Sequence, residues 1–504
     1  MTFQRPIVLG ARASVLAQVQ ARLVGNALMA RHPGIEVQYT ELSSPADRDL
    51  DTPLPELLKR GGFTGDLGVA LRANAIDIAV HLWKDVPFTG HPLTHVAATL
   101  PRADTRDLLL VKRSWLGGRD RAELRVLSSS ARRRTNLSGF LQWALPIRAP
   151  LVTFVLARGD CMARLEQLMQ SDAAALVVAK ANIDRLLEST EPEYSAARQR
   201  VREILDACEL MVLPLALNPT APGQGALALE VRRDRADLAE LLASINDEAT
   251  LTRVLAERAQ LAPTGDEDHP LGVSIVPVHC GEVEFRRGQR AGQWIQSAEL
   301  RRHDSPLPPA RSHDAVWTGD AAAAERYRRV PLQVRHDQFA DTRIGLFVAR
   351  SEAWPEGFQP RPGQVVWSAG IDTWRRLAAR GIWVHGSDES LGENERTCVR
   401  ALFPQVERWV KFSHELGYDS PFSERIATYR LERAAPLADL NGCTHFYWRS
   451  GSQFHDYLQA NPEIRGAWHG CGPGNTFSMI RAAIGAERVR AFLSAEGFRR
   501  EVEQ

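Results

Sequence analysis

Over its first 220 residues the chain alternates brief apolar runs with segments of helical period, and that alternation restricts it to an α/β architecture. The run Pro6–Leu9, the helix-period stretch Ser14–Met29 and the run Ile35–Leu42 set the rhythm. Ile76–Leu82, Leu108–Val111, Val126–Ser128, Val152–Leu156 and Ala174–Ala179 continue it, each bounded by Arg, Asp, Ser or Gly, as buried strands of open sheets are. Polar residues cluster directly after these runs, where an open α/β sheet gathers its ligand. Further along, Leu238–Glu257 reads as helix and Val273–Arg286 as strand, which makes a small α+β unit. His303–Ser312, with three prolines and no period, reads as a linker and as the major boundary. Ile344–Ala349 and Thr373–Arg380 then restart an α/β rhythm.

Composition narrows the function classes. The 504 residues suffice for about three to four domains at ordinary domain size. With 62 Lys+Arg against 61 Asp+Glu there is no overall basic field, so an anion site has to come from local clustering, and nucleic acid is not expected as a partner. Cys161, Cys208, Cys280, Cys398, Cys443 and Cys471 lack the paired spacings of zinc sites or a disulfide framework, so reduced thiols and no metal are expected. His445 near Cys443 and His469-Gly470-Cys471 also miss zinc spacing and read as structural. The segment MTFQRPIVLGAR lacks an apolar signal core, and no run reaches about 18 apolar residues. A cytoplasmic protein without a membrane partner is expected.

Four segments carry chemistry. Gly10-Ala11-Arg12-Ala13-Ser14 joins a strand to a helix that Ser14 can cap; the free N–H groups there, with Arg12, favour a carboxylate, although an ordinary capped helix has the same residues. His81-Leu82-Trp83-Lys84-Asp85-Val86-Pro87 ends the strand IDIAVHL. Lys84 and Asp85 can be a plain surface pair, or, if partly buried, Asp85 can exchange a proton with an amine and hold a developing cation. Ser128-Ser129-Ser130-Ala131-Arg132-Arg133-Arg134 places hydroxyls at a helix start before three arginines that diverge by about 100° each, so one or two face a ligand and a solvated basic face is the alternative. Arg158-Gly159-Asp160, with Arg164 following, closes the set. Arg12, Lys84, Arg132, Arg133, Arg158 and Arg164 thus lie at successive strand ends of a nearly neutral chain, which points to a substrate with several carboxylates.

In this order the motifs resemble hydroxymethylbilane synthase (porphobilinogen deaminase). Arg12-Ala13-Ser14, DIAVHLWKDVP at Asp77–Pro87, Ser129-Ser130-Ala131-Arg132-Arg133, Arg158-Gly159 with Arg164-Leu165, Pro222-Gly223-Gln224-Gly225-Ala226 and Ala256-Glu257-Arg258-Ala259 each match one of its signatures. The resemblance implies two periplasmic-binding-protein-like domains (1–102 plus about 206–222, and 103–205) and a small α+β third domain (223–302). It implies that porphobilinogen units are joined with loss of ammonia onto a dipyrromethane primer, giving a linear tetrapyrrole. Asp85 would be the catalytic acid, stabilising cationic azafulvene and pyrrole intermediates. Arg12, Ser14, Arg60, Lys84, Ser129, Ser130, Arg132, Arg133, Arg158 and Arg164 would hold carboxylates. A monomer is expected.

Two departures stand out. Aligning Pro270 and Gly272 with the family's primer loop puts Glu267 where its cysteine belongs, and a carboxylate cannot form the thioether. Cys280, thirteen residues downstream, and Cys161, which adjoins the Arg158 loop, are the alternative thiols, and either would need a changed geometry. The glycine-rich loop Arg60-Gly61-Gly62-Phe63-Thr64-Gly65 keeps one cation and has Gly65 in place of a second. A non-catalytic tetrapyrrole-binding or scaffold protein is therefore the competing reading, and a periplasmic-type binding module a third, disfavoured by the N-terminal sequence. Beyond the linker, residues 313–504 form an expected C-terminal α/β domain. There Val365–Gly370, Thr373–Leu377, Gly381–Val384 and Tyr447–Ser452 leading to Gly472–Thr476 loosely resemble uroporphyrinogen-III synthase.

Overall fold

The computed structural model describes residues 5–43, 64–117, 122–147, 151–261, 270–319, 326–393 and 397–504. It divides into two compact units, the first comprising 1–142, 148–275 and 285–297, the second 143–147, 276–284 and 298–504.

The first unit holds ten strands of two sheets. They are β1 (Ile7–Arg12), β2 (Val37–Leu42), β3 (Ile78–Leu82), β4 (Thr94–Ala98), β5 (Asp107–Lys112), β6 (Glu123–Leu127), β7 (Leu151–Val155), β8 (Ala175–Ala179), β9 (Cys208–Val212) and β10 (Leu227–Arg232). The sheets run β2-β1-β3-β10-β4 and β7-β6-β8-β5-β9. In each, three parallel strands are followed by one antiparallel strand from elsewhere in the chain: β10 returns into the first sheet and β5 leads into the second. This doubled order, with two crossovers, is the expected periplasmic-binding-protein-like architecture. β8 is buried along its whole length and β3 at all but its last residue, which explains why they read as unbroken apolar runs. The helices Val15–Arg31, Ala236–Ala243 and strands β1, β3 and β10 share one core through Val24, Leu28, Leu238, Leu242, Leu9, Ile78 and Leu229.

Two boundary expectations change. The return at 206–222 does not belong to the first sheet: β9 pairs with β5 in the second, and it is β10, placed by sequence in a third domain, that completes the first. A strand's partner is fixed by register with distant residues, which local periodicity does not carry. Nor does 223–302 stand apart. Its first half packs in the first unit, and the three-stranded sheet Gly272–Val278, Gly281–Arg290, Gln293–Arg302 falls on both sides of the division. The single helix expected over Leu238–Glu257 is two, Ala236–Ala243 and Glu248–Ala259, because Asp247 caps the second by accepting from the Thr250 N–H at 2.7 Å.

The crossovers touch each other. The Ala103 N–H donates to the Gly225 carbonyl at 3.1 Å, and a Cβ on Gly225, whose φ is +86°, would lie 2.6 Å from the Ala103 oxygen. Glycine is required there.

The second unit has a six-stranded sheet that includes Tyr327–Pro331, Ile344–Val348, Arg408–His414 and Glu424–Arg433, and an all-parallel four-stranded sheet of Val316–Trp317, His445–Trp448, Trp468–Cys471 and Val489–Ala491. Phe446, Trp448, Phe454 and Tyr457 form the core of the latter. His469 is engaged within that core, accepting from Trp448 Nε1 at 2.9 Å, and His445 Nε2 lies 2.9 Å from the Pro308 carbonyl. No group of three metal-ligating side chains occurs among the described residues, and no described helix is long and apolar enough to cross a membrane.

Candidate active site

β3 ends at Leu82 and turns at once through a short 3-10 segment, Trp83–Asp85. Trp83 anchors the turn, packing on Ala226, Ala228 and Val254, and its N–H donates to the Ala226 carbonyl at 3.1 Å. Arg258 holds the far side by donating to the Val86 carbonyl at 3.0 Å and the Pro87 carbonyl at 2.6 Å. Lys84 and Asp85 are thereby presented at the carboxyl end of a parallel strand. They line a cavity of about 240 Å³ together with Arg12, Ser14, Ser129, Ser130, Arg132, Arg133 and Arg164. Lys84 Nζ donates to Gln224 Oε1 at 3.3 Å. Burial pushes its ammonium down to about 8, with Asp85 opposing and Arg133 adding to the shift.

The flanking groups divide into those that face the cavity and those tied inward. Ser14 caps the helix Val15–Arg31, accepting from the Ala17 N–H at 3.4 Å. Ser130 accepts from the Arg133 N–H at 3.4 Å, and Ser129 is locked to Ala157, donating to its carbonyl and accepting from its N–H. Arg164 Nε donates to the Gly159 carbonyl at 3.0 Å, which fixes its orientation.

Arg132 and Arg133 are buried, at 4% and 6% exposure, rather than on a solvated face. Both bind Asp107: Arg133 through Nε at 3.0 Å and Nη2 at 2.6 Å, Arg132 through Nη2 at 3.0 Å. Asn218 and Gln224 donate to the same carboxylate at 2.9 and 2.8 Å. Burial alone would raise the Asp107 carboxyl, but Arg133 and Arg132 hold it far below the usual carboxylate range. One ion cluster thus joins the start of β5, the arginine helix and the return crossover.

Of the other residues read from sequence, Arg158 is not among those lining the cavity, and its Nε is buried with no hydrogen-bond partner. Arg60 and Glu267 lie outside the described residues. Sequence reasoning missed Asp107, Asn218 and Gln20 altogether. Asp107 opens a strand as a charged residue at 0% exposure, a position that only an inward partner permits. The signature Ala256–Ala259 also acquires a physical role. Arg102 donates to both oxygens of Glu257 at 2.7 and 2.9 Å, and Glu257 accepts from the Gly223 and Ile275 N–H groups at 2.8 and 2.7 Å. The helix therefore pins a crossover with Glu257 and the Asp85 turn with Arg258.

Within the second unit, a cleft of about 730 Å³ is lined by residues of both sheets and their loops, including Arg329, Arg350, Lys411, His414, Tyr429 and Arg449. Lys411 is paired there with Glu393, both nearly fully buried.

Comparison with known proteins identifies the family of the chain. The family described as Porphobilinogen deaminase, dipyromethane cofactor binding domain, matches residues 7–240. Porphobilinogen deaminase of Roseiflexus sp. (strain RS-1) is 33% identical over 307 residues, covering 60% of this chain and 93% of that one. The porphobilinogen deaminase of Acidothermus cellulolyticus is 37% identical over 264 residues, covering 51% and 71%. Among solved structures, the aliphatic sulphonate binding protein SsuA from Escherichia coli is 17% identical over 53% of this chain and 80% of that one, with a TM-score of 0.26. The chain belongs to the porphobilinogen deaminase family.

Proposed function

We propose that this chain is a hydroxymethylbilane synthase, a transferase of tetrapyrrole biosynthesis that joins four porphobilinogen units head to tail with loss of ammonia at each step. The observation that carries the reading is the placement of Asp85 in a cavity whose wall also bears Arg12, Lys84 and Arg164. Each porphobilinogen brings two carboxylates, and these three cations offer fixed or charge-assisted donors to them. Lys84, with its proton held up to about pH 8, is mostly charged near neutrality. Asp85 sits where it can pass a proton to the departing amine and then, as a carboxylate, hold the positive charge left on the substrate.

A cation-lined cavity with a buried, unpartnered Gln20 amide fits a dipyrromethane, with Arg12, Lys84 and Arg164 holding its carboxylates. When bound, that group supplies the pyrrole carbon at which elongation starts.

We propose further that residues 313–504 form a uroporphyrinogen-III synthase-like domain that receives the linear product, on the basis of the arginine-lined cleft between its two sheets. The sheet β2-β1-β3-β10-β4 and the sheet β7-β6-β8-β5-β9 would be the cores of the two jaws of the deaminase, working as a cytoplasmic monomer on free small molecules.

The test is porphobilinogen consumption with product analysis. The wild-type chain is expected to consume substrate and release a tetrapyrrole, and Asp85→Asn to lower kcat by about 10²–10⁴-fold without unfolding. Glu267, which cannot form the family's thioether, favours the competing reading of a tetrapyrrole-binding protein without turnover. Tight binding of a linear tetrapyrrole by a wild-type chain that consumes no porphobilinogen would make that reading the correct one.

A further inference from the structure

The cavity that holds Asp85 also holds a thiol. Cys161 is the first residue of the helix Cys161–Gln170, is 9% exposed and lines the cavity beside Asp160 and Arg164. No other described cysteine lies there. Cys208 begins β9, while Cys280, considered from sequence as an alternative, is packed with Cys471 in the second unit's core, and Cys443 lies against the same core.

Two further features of the cavity point to an occupant. Its cations, Arg12, Lys84 and Arg164, suit an anionic ligand. Independently, Gln20 is 3% exposed, lines the same cavity, and its Nε2 has no hydrogen-bond partner. Buried amide donors are almost always satisfied, and an occupant of the cavity is placed to supply the acceptor. Arg164 and Lys84 pull the Cys161 thiol towards ionisation, but its burial outweighs them, so the group is held as a thiol in the cavity wall.

We propose that Cys161 is the covalent attachment point of the pyrrole primer, serving in place of the cysteine that the 264–272 segment lacks. The inference rests on the deaminase reading above. In the attachment step Sγ bonds to the methylene carbon of porphobilinogen as the carbon–nitrogen bond breaks, and the thiol proton leaves with the amine as ammonia. The second pyrrole joins when the free α-carbon of the first bonds to the next methylene, releasing a second ammonia that carries off the α-hydrogen as a proton. No oxidant or reductant is needed. Burial holds the thiol up to about 11, against the pull of Arg164 and Lys84, so loading is slow and favoured by alkali. A primer attached once and kept through every turnover tolerates a slow loading step.

The experiment is intact mass under denaturing conditions for the full chain incubated with porphobilinogen, with peptide mapping of the wild type and parallel measurement of porphobilinogen consumption. A two-pyrrole adduct on the peptide containing Cys161, absent from both Cys161→Ser and Cys161→Ala, is the expected result. An adduct that maps elsewhere, or survives in either variant, overturns the inference and leaves the deaminase reading standing. Consumption by a wild-type chain that carries no adduct does the same. An unmodified chain with no consumption overturns both.

Discussion

Arg133 closes a two-point ion pair on Asp107, with Nη2 2.6 Å from one carboxylate oxygen and Nε 3.0 Å from the other. The pair is buried, and Arg132 Nη2 donates to the same carboxylate at 3.0 Å, so one anion serves two guanidinium groups. Such a cluster is sensitive to the loss of its anion, because Asp107 is the carboxylate that both buried guanidinium groups bind.

Asp107→Asn should therefore destabilise the protein by about 3–5 kcal/mol. The pH dependence has a definite sign. The folded carboxyl lies below its ordinary value of about 3.9, so its stabilisation is present above that value and drains away as pH falls below about 4. Urea midpoints recorded from pH 6 to pH 2.5 should fall more steeply for the wild type than for the variant. Parallel curves would show that Asp107 is not ionised by its arginines.

Lys84 offers a second titration, in the range where the enzyme can be assayed. Its ammonium loses a proton near pH 8, and with it a charge-assisted donor to substrate carboxylates. KM for porphobilinogen should rise through pH 8 to 9 in the wild type. In Lys84→Arg, whose guanidinium stays charged, that rise should disappear. An alkaline limb unchanged in the variant assigns it to another group.

Arg258 acts through the turn it holds. Losing its donors to the Val86 and Pro87 carbonyls frees the segment that presents Asp85, so Arg258→Ala should lower kcat by up to about 10²-fold with little change in KM. A thermal melting curve shifted with kcat per folded molecule unchanged would restrict Arg258 to a structural role.

Much of the cleft was legible from residue order, because strand ends in an open sheet are marked by apolar runs that stop at polar clusters. Arg12, Lys84, Asp85 and Arg164 came together for that reason. Asp107 was not legible as a partner of Arg132 and Arg133, since nothing local joins it to a helix 25 residues away. Arg158 carried the right chemistry, yet it is absent from the cavity wall that its neighbours Gly159, Asp160 and Cys161 help to form. The reassignment of β9 and β10 has a similar origin. Cys208–Val212 and Leu227–Arg232 are both short apolar strands, and only pairing across the chain tells which sheet each enters.

The place of β10 between β3 and β4 bears on how the molecule comes into being. While the chain is being made, the first sheet has an empty slot at its fourth position until residue 232 has left the ribosome, by which time the whole second sheet has been synthesised. Of the two sheets in the first unit, the one that begins first is the one completed later. Until then its β3 and β4 edges are open to wrong pairing, and the long sequence separation adds a loop-closure cost to filling the slot.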